Sequence, residues 1–348
     1  MTFDENFVEN LNKNLKKRPF FEFYDYIQRF LPLLKDSIRN QRMQPVEHAK
    51  IEMSTREIID VVLLFYKDFD KELYNKLNDT LMENSFVYKT DSPTRSHLSK
   101  NFFDEHKDEL EGKSTIFQYS EPTQDGGVNA VGVISFDEIN YREINLNPRN
   151  NIDSLVVIAH EFAHALAQRV QEFKVMKADA ACEIESLFIE HVVVDYFKNI
   201  GILTENDYKN SLTQQKNNYL SCAYSILDEN KIAQHLKYPV TKNSLENFEK
   251  KFQGRPDYEK VMEIVRHLTK PRADFEGMRK FRYVVGGVVA TELYKDFKKD
   301  KENTVKKYKE FLNKNAELTL EEAAQFLLGD NYIKRIQSAC VSGLNKNL

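Results

Sequence analysis

The sequence predicts a mainly α-helical protein with a small β-sheet set beside one buried helix, and three observations carry that expectation. Glycine and proline are scarce, at 11 and 9 in 348 residues, while long stretches place apolar residues at helical spacing. Only residues 114–147 read convincingly as strands. After them comes His160-Glu161-Phe162-Ala163-His164, an HExxH pattern inside the largely apolar run 152–167.

Taken in order, residues 1–40 mix aromatic and charged residues, with Pro19 and Pro32 as breaks. Phe20, Phe23, Tyr24, Ile27 and Phe30 or Leu31 form a helical stripe suited to a core. Residues 54–84 read as one long amphipathic helix opened by the capping pattern Ser54-Thr-Arg-Glu57. Its apolar face takes Ile58, Val61, Val62, Phe65, Phe69, Leu73, Leu77 and Leu81. The polar stretch 87–99, with Pro93, reads as a loop, and 101–111 as a short charged helix. Strands are expected over 114–119, 128–135 and 141–146, with Gly126-Gly127 separating the first two. Such a sheet either covers the core or offers its edge to an extended peptide.

Residues 147–151 turn into the HExxH helix, for which Asp153 or Ser154 is the candidate N-cap. Positions i and i+4 share a helix face, so His160 and His164 can reach one metal ion. Glu161 points about 100° away, where it acts on a water rather than completing the same grip. Two neutral ligands and a neighbouring carboxylate at this spacing are what a zinc hydrolase needs. After a connection over 168–178, a second helix is expected over 179–197. Glu183 and Glu190 are seven apart on one of its faces, among Ile, Leu, Phe and Val, where a carboxylate needs a partner or a metal. Glu183 is therefore the candidate third ligand, with Asp179 and His191 as rivals. Glu190 either orients a ligand imidazole or lies on a solvated face, and Glu185 reads as solvated.

Residues 204–270 read as polar helices, with His235 and His267 as surface or capping residues. Within 275–294, Gly286-Gly287 interrupts an apolar helical run and marks close packing. Ahead of it, Arg279, Arg282 and Tyr283 are either donors facing a polar cavity or ordinary surface residues. Beyond 295 the chain reads as lysine-rich helices, with Thr319-Leu-Glu-Glu322 as a second capping box. No repeat or low-complexity linker appears. The expected organisation is one compact unit over 1–348: N-terminal helices (1–112), sheet (113–147), metal helices (148–200) and C-terminal helices (201–348).

Lys and Arg number 50 against 54 Asp and Glu, a net charge of −4 that leaves no basic footprint for nucleic acid. No apolar run approaches the roughly 18 residues of a membrane span, the longest candidate being 284–290. Three isolated cysteines, Cys182, Cys222 and Cys340, make no disulfide framework, and the N-terminus has no signal-peptide pattern. A cytoplasmic protein without membrane contact is expected.

Together these segments resemble the thimet oligopeptidase and oligoendopeptidase F family of zinc metallopeptidases. Residues 153–164 resemble the family's metal helix, and 183–190 its third-ligand helix. Gly127-Val-Asn-Ala130 with 143–147 resembles its edge strand and the strand entering the metal helix. Residues 281–286 resemble its tyrosine-glycine segment, and 57–74 its helix upstream of the sheet. The likeness touches residues 55–295 and is strongest over 140–197. It implies a gluzincin-type (zincin-like) metallopeptidase fold and one Zn2+ per chain on His160, His164 and Glu183. It also implies Glu161 as general base and Tyr283 as transition-state donor. The expected reaction is hydrolysis of internal bonds in short peptides. The substrate would lie extended along Gly127, Val128, Asn129 and Ala130, with Tyr283 or the nearby Arg279 and Arg282 stabilising the oxyanion. Ala163 stands where the family usually has glycine. Ala273, Glu276 and Lys280 occupy ground where it has a histidine and tyrosines. These departures leave a second reading, a catalytically inactive zinc-containing protein of the same fold that binds peptides.

Overall fold

The computed structural model describes residues 3–16, 35, 38, 41–93, 98–127, 129–167, 181–236, 238–270, 273–315 and 317–342. The aromatic stripe of residues 20–31, the rival ligand Asp179 and Val128 lie outside the described residues. The fold is mainly helical with one small mixed sheet. The chain divides into two compact units, Met1–Met43 with Lys216–Val288 and Ile333–Leu348, and Gln44–Gln215 with Val289–Tyr332. No helix among the described residues is long and apolar enough to cross a membrane.

The first unit is built on helical stripes. Helix Tyr258–Leu268 buries Val261, Met262, Val265 and Leu268, the i, i+1, i+4, i+7 pattern of one face. These pack in one cluster with Leu11 and Leu15 of helix Glu5–Leu15 and with Leu245, Phe248 and Phe252 of helix Lys242–Phe252. Asn14 ties the cluster's edge, its amide donating to the carbonyls of Leu268 and Lys270 at 2.9 Å each.

The second unit carries the sheet, formed by β1 (Ser85–Lys89), β2 (Thr115–Tyr119), β3 (Ala130–Phe136) and β4 (Ile139–Leu146) in the order β1-β2-β4-β3. The first two pairings are parallel and β3 runs antiparallel to β4. The β3–β4 turn has Asp137 and Glu138 at φ 44° and 66°, two positive values, which a two-residue hairpin matching the strand twist requires. The expected loop over 87–99 is corrected at its start, because Phe86 and Tyr88 pair with Ile116 and Gln118 of β2. Phe86 packs with Ile116, Tyr141, Phe102 and Phe103 on one sheet face. Alternation places the buried Phe117, Ile144 and Leu146 on the other.

The long helix expected over 54–84 is broken in the structure. Its capping box is present and helix Thr55–Phe69 follows it. At Asp70 the backbone becomes extended (φ −160°, ψ 122°), and the Asp70 carboxylate accepts from the N–H groups of Glu72 and Leu73 to start helix Lys71–Asn78. A π-helical turn, Asp79–Glu83, leads into β1. The apolar stripe continues through the break, with Ile58, Val62, Phe65, Phe69, Leu73, Leu77 and Leu81 all buried.

Candidate metal centre

The HEFAH segment lies on helix Asp153–Leu166, which packs beside β3 and β4. It is apolar nearly all round, with Leu155, Ile158, Ala159, Phe162, Ala163, Ala165 and Leu166 fully buried, so neighbours hold it on every side. The expected Asp153 or Ser154 cap is not made. Ile152 precedes the first helical residue without a side-chain cap, and the Ser154 hydroxyl donates instead to the Arg149 carbonyl at 2.7 Å. Tertiary bonds anchor the helix instead. The Ile152 N–H donates to the Ala49 carbonyl at 2.9 Å, and Tyr66 Oη donates to the Ala159 carbonyl at 2.8 Å. At the far end Lys76 Nζ donates to the Leu166 carbonyl at 2.9 Å, a cation on the negative pole of the helix.

A second helix, Ile184–Asn199, packs against this one, and Glu183 stands immediately before its first residue. Among the described residues His160, His164 and Glu183 are the group able to hold a metal ion. The two Nε2 atoms are 3.1 Å apart, and Glu183 Oε2 lies 3.4 Å from that of His160 and 3.3 Å from that of His164. Zinc bonds of about 2.0–2.2 Å arranged tetrahedrally give ligand-to-ligand edges of about 3.3–3.5 Å. The triangle therefore fits three ligands of one such ion, and the nitrogen and carboxylate donor set suits zinc chemistry. Each ring also has a partner at its other nitrogen. His160 Nδ1 is 2.7 Å from Glu190 Oε1, and His164 Nδ1 is 3.3 Å from Glu185 Oε1. Ser186 Oγ donates to Glu183 Oε2 at 3.1 Å and fixes that carboxylate.

Without a metal, the charges balance among themselves. Burial disfavours the imidazolium of His164, but the Glu183 charge and hydrogen bonds to Glu183 and Glu185 push it up to about 9. For His160 burial is likewise outweighed by Glu183 and Glu190, and the ring is held well above its ordinary value. Burial raises the carboxyl of Glu183, yet the two imidazoles overturn this and hold it well below the usual range. At Glu161 burial wins over His160 and His164, so its carboxyl is raised. A buried carboxylate of raised affinity for protons beside the histidine pair has the character of a general base.

Glu190, for which two readings stood open, meets the His160 imidazole rather than solvent. Glu185 corrects the sequence reading: it is fully buried rather than solvated. Sequence reasoning also passed over Ser186 as an orienting group, although its position three residues after Glu183 was visible. His191 takes a different place, its Nε2 3.2 Å from Thr291 Oγ1 and its ring against Tyr294. Ala130 is the first residue of the edge strand β3, with Gly127 and Asn129 just ahead of it. Gly127 adopts φ 111°, and a Cβ on Gly126 would lie 2.2 Å from the Pro148 carbonyl oxygen, so both glycines are required by the approach of 147–149. Arg149 Nε closes this loop by donating to the Gly126 carbonyl at 2.8 Å. Arg279, Arg282 and Tyr283 stand on the part of helix Ala273–Lys299 that belongs to the first unit, where Arg282 and Tyr283 are half-buried.

No protein-family model matches the chain, and no curated protein matches its sequence. Solved structures do match. A protein described as an oligoendopeptidase F from Bacillus anthracis str. Ames aligns over 97% of this chain and 56% of its own, at 12% identity and a TM-score of 0.50. PZ peptidase A, solved with an inhibitor, aligns over 100% of this chain and 59% of its own, again at 12% identity and a TM-score of 0.50. The chain thus spans under two thirds of either structure. At such identity the likeness is one of fold, and the chain shares its fold with peptidases of the oligoendopeptidase F and PZ peptidase kind.

Proposed function

We propose that this chain is a zinc-dependent metallopeptidase that hydrolyses internal bonds of short peptides. The observation that carries the reading is the triangle of His160 Nε2, His164 Nε2 and Glu183 Oε2, with edges of 3.1–3.4 Å, the two histidines standing on a buried helix that also bears Glu161. The peptide part is supported by the names of the two fold neighbours and by the edge position of β3 beside the HEFAH helix. Zinc bound by these three side chains supplies Lewis acidity and lowers the pKa of a bound water. Glu161 accepts the proton of the attacking water and passes it to the leaving amine, a role suited to its raised carboxyl. Glu190 holds the His160 ring from its Nδ1 side, and Ser186 holds the Glu183 carboxylate. Gly127, Asn129 and Ala130, with Val128, lead the edge strand that holds an extended substrate by its backbone. The family resemblance suggests Tyr283 as donor to the developing oxyanion, with the nearby Arg279 or Arg282 as the alternative donor.

Replacing Glu161 by Gln tests the reading. Zinc content should stay near one per chain while cleavage of a quenched short peptide falls at least about 100-fold, the usual contribution of a general base. Undiminished cleavage removes Glu161 from the mechanism, and zinc binding without turnover in the unaltered protein selects the inactive peptide-binding reading.

A further inference from the structure

The metal-ligand helix Asp153–Leu166 and helix Ile184–Asn199 are cross-braced twice. His160, the earlier residue on the first helix, meets Glu190, the later residue on the second, and His164 meets Glu185 in the reverse order. The two contacts are rungs of an antiparallel helix pair, with axial rises of about 6 Å between the histidines and about 7.5 Å between the glutamates. Glu190 was a candidate on geometric grounds, since it shares a face with Glu183. Glu185 was not. A helical wheel sets it about 140° from Glu190 and toward solvent. Yet its side chain is 0% exposed, and its backbone carbonyl accepts from the buried Tyr308 hydroxyl at 3.2 Å. A carboxylate in such surroundings is costly unless it is paired, and the His164 imidazole is within reach.

We propose that Glu185 is the positioning residue for His164, receiving its Nδ1–H so that Nε2 faces the metal, as Glu190 does for His160. This rests on the zinc reading above and deepens it: each ligand ring is fixed in tautomer and orientation by its own carboxylate. A ring whose Nδ1–H is engaged by a carboxylate is the more basic ligand at Nε2, and the loss of such a partner costs about 10–100-fold in metal affinity. With two such pairs, zinc retention depends on both helices keeping their register.

The test is zinc affinity, measured by competition with a chelator, for the full chain and its Glu185→Gln and Glu185→Ala variants, together with the melting temperature of each metal-free form. Gln keeps the volume and one acceptor oxygen, so weakening should follow the order Ala, then Gln, then the unaltered chain, with Ala reaching about 10–100-fold. The near-isosteric Gln variant should melt close to the unaltered metal-free protein, which separates positioning from a purely structural role. NMR of the His164 ring in the zinc-loaded, unaltered chain needs no variant and should show an Nδ1 proton held in a hydrogen bond to a carboxylate and slow to exchange with solvent. Zinc affinity unchanged in both variants, a loss of affinity that only tracks a loss of metal-free stability, or an Nδ1 proton of His164 that exchanges freely with solvent would each overturn the role of Glu185 while leaving the zinc reading in place. An unaltered chain that takes up no zinc removes both.

Discussion

His160 and His164 turn one ring nitrogen toward a common point and the other toward a carboxylate, so a metal ion held there would compete with protons for the same lone pairs. Against burial, Glu183 and Glu185 push metal-free His164 up to about 9, a shift that favours its protonated form, so a metal ion entering there would have to displace a proton. Zinc affinity should therefore fall as pH is lowered from 9 to 6, measured by chelator competition, and an affinity independent of pH contradicts this. The linkage to stability has a definite sign. A histidine raised above its ordinary value of about 6.5 stabilises the fold fully below that value, and the contribution is lost as pH rises through about 9. The metal-free protein should accordingly lose melting temperature between pH 7 and 10. Tyr66 offers a simpler check of what holds the ligand helix. It is fully buried, and its hydroxyl donates to the Ala159 carbonyl next to His160. Tyr66→Phe should cost about 0.5–1.5 kcal/mol in denaturant unfolding, and no change would mean the bond does not help to anchor the helix.

Among the elements, the loop ahead of β3 has the least freedom to change. Gly126→Ala would place a methyl 2.2 Å from the Pro148 backbone oxygen, a contact that only a shift of backbone relieves. The expected cost is about 1–3 kcal/mol, read as a lower melting temperature, and a neutral substitution would refute the close approach. The helix break at Asp70 is open to the same kind of test. Asp70→Ala removes acceptors for two free N–H groups and the partner of Lys309 Nζ at 3.1 Å, and should cost about 1 kcal/mol. These elements also show where the sequence was readable. Both predicted capping boxes, at Ser54–Glu57 and Thr319–Glu322, form, because the signal and the bond lie within four residues. The strands over 115–146 were visible through β-branched alternation. β1 was not, because its pairing with β2 is a long-range parallel contact that no local pattern announces. The break at Asp70 was hidden by an apolar stripe that runs on across it, and Glu185 by a helix that is buried on nearly all faces.

At the scale of the whole chain, two compact units are held by different means. The first rests on helical apolar stripes, and the second on a sheet and the paired helices that bring His160, His164 and Glu183 together. A metal ion bound only by the folded form stabilises it by mass action, about 4 kcal/mol when free metal is 1,000 times Kd. Zinc should therefore raise the melting temperature of the chelator-treated protein. The most direct measurement is zinc-dependent recovery of peptide cleavage by metal-free protein, titrated against zinc bound. Activity should rise in proportion to bound zinc and saturate at about one ion per chain, with Glu161→Gln binding the ion and recovering nothing. Cleavage that persists undiminished in the metal-free protein, or a chain that binds no zinc, would contradict it.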